Sequence, residues 1–280
     1  MSHSRIIYSA NESKKRKKKF SGRFVIASIL SFLFFGVLSG AGFFVTQHAH
    51  IKNVEVSGLK VLNSEEIKSE VNKELEGAFA FILPKNSYFV VSTTKIKEKL
   101  LALNPRIADI AITKEYPESL QVNLTEREPW GIYCNDLLLD LQKDAGKQKC
   151  FYIDKSGFSY EDAPLTTGTL INKIRGDAEN SAVGTQLVDP ETISLMERIA
   201  NKLRELDLRV SVFEIRTPLK SEIRVQTHEG FALIIKRTDD FQNVFNVLKT
   251  VLANEIKGKR SQLDYIDLRF GNKVFYKFRN

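Results

Sequence analysis

Residues 24–45, FVIASILSFLFFGVLSGAGFFV, contain no charge, whereas the later apolar positions recur at the intervals of helices and strands. At about 1.5 Å per residue, a helix over this run spans roughly 33 Å, enough for a hydrocarbon core of about 30 Å. A cleaved signal peptide has a shorter apolar region, about 7–15 residues, and a small-x-small site. The following TQHAHIKN offers no such site, so the run is expected to stay as a single transmembrane helix.

Beyond it, Val54 and Val56 alternate with Glu55, predicting a short strand that stops at Gly58. Asn63 then suits a helix N-cap with Glu66 three residues on, and Ile67, Val71 and Leu75 form one apolar face. A second helix is predicted from Ser92–Thr94, carrying Ile96, Leu100 and Leu103 until Asn104-Pro105 stops it. Ile110/Ile112 and Val122/Leu124 mark two strands around the turn Tyr116-Pro117-Glu118-Ser119. The apolar loop between the helices offers Phe79, Phe81 and Ile82 either as core or as a contact patch.

The second half predicts a hairpin about Ser156-Gly157, a helix with Asp189 as N-cap and Pro190 at its first position, and three strands. A last helix follows, with Phe241, Val244, Phe245 and Leu248 facing inward. YIDLRFGNKVFYKF then reads as two alternating strands turning at Gly271-Asn272. The expected fold class is α+β: the membrane helix, a β-α-α-β-β domain over residues 51–128, and a mixed β-sheet domain with packed helices over residues 129–280.

Charge settles the orientation. Of 42 Lys/Arg, eight (Arg5, Lys14, Lys15, Arg16, Lys17, Lys18, Lys19 and Arg23) lie in residues 1–23 against Glu12 alone, which leaves the rest of the chain nearly neutral. This basic tail before the apolar run predicts a cytoplasmic N-terminus with residues 46–280 outside. The tail reads first as a topology signal, with a lipid or protein contact as the alternative. A nucleic-acid-binding role for the rest is disfavoured. Gly36 and Gly40 form a GxxxG that is either a helix contact or incidental spacing.

Catalytic chemistry is sparse. His228 reads as a surface turn residue and Met196 as core. His48 and His50 are too few ligands for a metal site, and GxSxG, HExxH, P-loop and CxxC patterns are missing. No cofactor or metal is expected, and an envelope hydrolase is a minor alternative. Cys134 and Cys150, the only cysteines, are expected to pair in an oxidising exterior; the alternative is two small buried side chains.

In the final hairpin, Ile266, Leu268 and Phe270, then Val274, Tyr276 and Phe278, can face the helices. That leaves Arg269, Lys273, Phe275 and Lys277 as an outer cationic strip around one aromatic. Nothing in the sequence follows to cover the second strand, so it is expected to be an open edge.

Together, VEVSGLKVLNSEEI, ITKEYPESLQVNLTEREPWGIY and DLRFGNKVFYK, in this order behind a basic tail and one apolar helix, resemble the FtsQ/DivIB family of bacterial division proteins. The resemblance implies a POTRA domain over residues 51–128, location at the division septum, and no enzymatic activity. It further implies that the exterior part holds FtsB/DivIC-like and FtsL-like coiled-coil proteins, linking septum assembly to peptidoglycan synthesis. The partner site implied is the last edge strand, with Arg269 and Phe270 matching that family's arginine and aromatic, and with Lys273, Val274, Phe275, Tyr276 and Lys277 beside them. Other division proteins would dock on the POTRA domain. A POTRA-bearing translocation or assembly component is the alternative. One departure is Arg106, where family members often carry an aromatic beside the proline.

Overall fold

Why the apolar stripes become these elements is clearest from the strand order. A computed structural model of the chain describes residues 22–79, 83–135, 148–165, 170–178, 180–216, 222–237, 241–271 and 273–279. The basic tail before residue 22, the side chains of Phe79, Phe81 and Ile82, and Asn272 of the final turn lie outside that description.

Helix α1 (Gly22–His48) covers the apolar run. The side chains of Arg23, Val25, Ala41 and residues 44–48 are not described. Among the described residues, no helix is long and apolar enough to cross a membrane.

Next come β1 (Asn53–Ser57), α2 (Ser64–Leu75), a two-residue ladder of β2 (Ala78–Phe79) with β3 (Leu83–Pro84), α3 (Thr93–Leu103), β4 (Ile107–Glu115) and β5 (Ser119–Glu126). The three longer strands form a sheet in the order β1-β5-β4. This is the expected β-α-α-β-β arrangement, with β2 and β3 as a small addition. Caps fall where the sequence placed them. Asn63 Oδ1 accepts from the Glu65 N–H, and Ser92, the N-cap of α3, accepts from the Lys95 N–H. Ile67, Val71, Ile96, Leu100, Leu120 and Val122 are buried, which is the gain that offsets ordering two helices and a sheet.

The remaining strands are β6 (Gly131–Cys134), β7 (Cys150–Ile153), β8 (Ser159–Ala163), β9 (Asn172–Arg175), β10 (Val210–Glu214), β11 (Glu222–Thr227), β12 (Ala232–Lys236), β13 (Leu263–Phe270) and β14 (Lys273–Phe278). They form one nine-stranded sheet, ordered β14-β13-β12-β11-β10-β9-β6-β7-β8. It is mixed, since β9 runs parallel to both β6 and β10, and β12 runs parallel to β13.

Helix α4 (Pro190–Arg204) starts at the Asp189 cap, whose side chain accepts from the Thr192 N–H. Its buried Ile193, Met196, Ile199 and Leu203 join Phe241, Val244, Phe245 and Leu248 of α5 (Phe241–Val251) in one core with the sheet. A π-helical turn, Leu252–Ile256, and a 3-10 turn, Arg260–Gln262, lead from α5 into β13. The β12–α5–β13 connection is therefore a parallel crossover whose helix lies on the core side and positions the final hairpin.

Close contacts divide the chain into two units. One gathers the described parts of residues 1–53, 75–91 and 114–119; the other comprises residues 54–74, 92–113 and 120–280. Within the second, the end of β5 is joined to the large sheet by ion pairs. Buried Glu126 accepts from the backbone N–H groups of Lys60 (2.7 Å), Val61 (3.0 Å) and Leu62 (3.0 Å). Arg106 Nε donates to its other oxygen at 3.2 Å, and the same guanidinium reaches Glu161 on β8. Arg127 pairs with Asp154 and lies over the Phe158 ring, 4.3 Å from its centre. Arg106, the departure from the family pattern, is thus a structural tie between β5 and β8.

Candidate functional site

The sheet order leaves β14 outermost: among the described residues no strand pairs with its far side. Its near side is paired to β13 through Ile266↔Tyr276 and Asp267↔Phe275, with register shifts between Leu263 and Tyr265 and between Asp267 and Phe270. Those shifts change which side chains are offered. Ile266 and Leu268 are buried as expected, but so is Asp267. Phe270, expected to face the helices, is instead 53% exposed, because the irregularity after Asp267 turns the strand end over. It meets Phe275, also 53% exposed, edge to face at 5.3 Å.

Arg269 was expected to be one of the free outer cations. It is instead bound to two carboxylates, with Nη1 donating to Glu222 at 2.7 Å and Nη2 to Asp267 at 2.6 Å. Burial alone would push the Asp267 carboxyl up, but the Arg269 guanidinium and N–H hold it below the usual range. Arg269 itself is held protonated chiefly by its hydrogen bonds to Asp267 and Glu222. Its guanidinium carbon also lies 5.5 Å from the centre of the Phe270 ring. Arg269 therefore braces Phe270 and contributes little net charge.

The rest of the strip is closer to expectation. Lys273 and Lys277 are exposed; Lys277 lies 3.7 Å from Asp264, and Lys273 has no ion pair among the described residues. Val274 and Phe278 are half-buried against the core, while Tyr276 is more exposed than its place in the alternation implied and stacks edge to face on Phe278 at 5.6 Å. The edge thus offers main-chain N–H and C=O groups beside three exposed aromatics and two lysines.

Magnitudes say what such an edge can do. A net 0.5–1.5 kcal/mol or so per hydrogen bond over a strand of this length is offset by an association cost of about 4 kcal/mol or more. Main-chain pairing alone therefore gives weak binding. Burying an exposed aromatic adds about 1.5–3 kcal/mol, enough to make a specific site.

Far from this edge, Cys134 and Cys150 face each other across β6 and β7 and are joined by a disulfide, 16 residues apart in sequence. Closing a loop of this size stabilises by about 3 kcal/mol on the chain-entropy model. Intact mass of the exported protein before and after reduction and alkylation is expected to show one bond. Two thiols reacting without reduction would mean that it does not form.

Among the described residues, no group of three or more His, Cys, Asp or Glu side chains is placed to hold a metal ion. His228 sits exposed in the β11–β12 turn, and Met196 is fully buried.

The β-α-α-β-β order of the small domain is that of a POTRA domain, and a mixed sheet with an open, aromatic-bearing edge follows it. Residues 49–127 match the family model described as POTRA domain, FtsQ-type. Two curated relatives are each described as cell division protein DivIB, from Clostridium botulinum strains Hall and Loch Maree. Each is 26% identical over 223 residues, which cover 77% of this chain and 81% of the relative. The POTRA match and the two DivIB relatives together support the FtsQ/DivIB family for this chain.

Proposed function

We propose that the chain is a non-enzymatic scaffold of the division machinery, anchored in the cell membrane by α1 with its N-terminus cytoplasmic. Its role in cell division follows the family and the DivIB relatives. The observation that carries the binding mode is the open β14 edge with Phe270, Phe275 and Tyr276 exposed beside it. An extended segment of an FtsB/DivIC-like partner, itself paired with an FtsL-like coiled coil, adds to β14 as a tenth strand. This attachment links septum assembly to peptidoglycan synthesis.

Aromatic side chains of the partner's added strand, or aliphatic ones, would seat on Phe275, and its carboxylates would meet Lys273 and Lys277. With Arg269 already neutralised by Asp267 and Glu222, the selecting charge falls to these two lysines. The reading is tested by calorimetry of the purified partner against Lys273→Glu and Phe275→Ala. Each is expected to weaken binding about tenfold, roughly 1.4 kcal/mol, with the Lys273→Glu loss shrinking in high salt. Unchanged affinity in both would remove the strip from the interface and leave the lysines as protection of a bare edge.

A further inference from the structure

The unit that contains α1 carries a second exposed aromatic group. The backbone after α1 is tied at once to two loops. Ala49 O accepts from the Tyr88 N–H at 2.9 Å, the Ile51 N–H donates to Asn86 O at 2.7 Å, and His50 bridges Ser87. The Lys52 and Asn53 N–H groups both donate to Glu118 O, at 2.8 and 3.1 Å. Residues 83–90 and the turn at Tyr116 are therefore fixed beside the end of the helix.

On these loops, Tyr88 meets Phe89 edge to face at 5.5 Å and Tyr116 at 5.6 Å. Lys114 Nζ donates to Tyr88 O at 3.0 Å and lies over its ring. Tyr88 is half-buried, yet Phe89 is 56% exposed and Tyr116 66% exposed.

We infer that Phe89 and Tyr116 lie in the headgroup layer of the lipid bilayer, making this loop face a lipid-contacting surface. This rests on reading α1 as the membrane anchor. The tether decides it. Only Thr46, Gln47 and His48 continue the helix past the uncharged run, at about 1.5 Å each, before Ala49 bonds Tyr88. Tyr88 is thus roughly 10 Å at most from the hydrocarbon edge, and each interfacial layer is about 5–8 Å deep. A loop held that close keeps its exposed rings within reach of the interface, where Tyr and other aromatic rings partition favourably.

Charge plays a small part. Lys52 is paired with Glu118 at 2.6 Å, and Lys85 and Lys114 are partly offset by Glu115, so the face attracts anionic lipid weakly. The partner is the bilayer interface itself, through aromatic partition.

The test uses the full chain in phosphatidylcholine proteoliposomes with acyl chains brominated at shallow or deep positions. Tryptophan is introduced separately by Phe89→Trp, Tyr116→Trp, Phe32→Trp in α1 and Phe275→Trp on β14; the native Trp130 gives the baseline. Phe89→Trp and Tyr116→Trp are expected to lose most of their added emission to shallow bromine, equally in low and high salt. Phe32→Trp should respond to deep bromine and Phe275→Trp to neither. Quenching of Phe32→Trp without quenching at residues 89 and 116 overturns the lipid contact while the anchor stands. If Phe32→Trp is also unquenched, the anchor reading fails with it. Quenching at 89 and 116 that needs anionic lipid and vanishes in salt overturns aromatic partition in favour of a charge contact.

Discussion

Proline placed on β14 should abolish partner capture while leaving the domain folded. Successive N–H groups of a strand point to opposite sides, so of Phe275→Pro and Tyr276→Pro one removes a donor from the open edge and the other removes one from the ladder with β13. The first also leaves a partner carbonyl unpaired and bends the edge, so a loss of at least about a hundredfold, roughly 2.7 kcal/mol, is expected from it. Calorimetry reads the affinity, and circular dichroism checks that β13, held on its other side by the parallel strand β12, keeps the fold. If both variants fold and bind within a few-fold of the parent, β14 does not receive a strand.

Acid should loosen the tie between β5 and the segment before α2, and Glu126 is the reason. Its burial would raise the carboxyl pKa, but the Leu62, Lys60 and Val61 N–H groups and Arg106 outweigh burial and bring it from 4.5 down to about 2. Between those values the unfolded chain binds more protons than the folded one, so stability rises with pH across the window. The contribution is complete above about pH 4.5 and is lost as pH falls toward 2, about 3 kcal/mol in all. Glu126→Ala should cost about 3–5 kcal/mol at neutral pH, because it strands three backbone donors and one face of Arg106. For a body of this size that is a fall in Tm of roughly 6–20 °C. Thermal unfolding of the full chain in detergent from pH 7 to 2.5 measures both effects. A Glu126→Gln variant should keep the side chain's volume and lose this part of the acid dependence; an unaltered pH profile would mean that Glu126 does not carry it.

The hairpin was legible because β13 and β14 alternate over eight and six residues and meet at a glycine with φ of +62°. The two helices between β1 and β4 were legible for a similar reason, since Ser92 and Asn63 are strong local caps. What escaped is non-local. The neutralisation of Arg269 needs Glu222, 47 residues away, brought near only by the β11–β12–β13 order. Phe270 changes side through a register shift that period-two alternation cannot register. Strands β6 and β9, four residues each, are too short to display a period, and their parallel pairing depends on distant segments. The candidate strip was therefore visible as a strand but misjudged in three of its side chains, Arg269, Phe270 and Tyr276. For Asp267, the hint available was a carboxylate two residues before an arginine in a strand, which places both on one face.

The nine-stranded ladder also sets a length. With neighbouring strands about 4.8 Å apart, eight intervals put β14 about 38 Å along the sheet from β8, where Glu161 meets Arg106. The ion-paired end of β5 and the open edge strand therefore lie at opposite ends of the strand order. Glu126, Arg106 and Arg127 touch no part of β14, and an effect of their loss on the edge would have to pass through the whole width of the sheet.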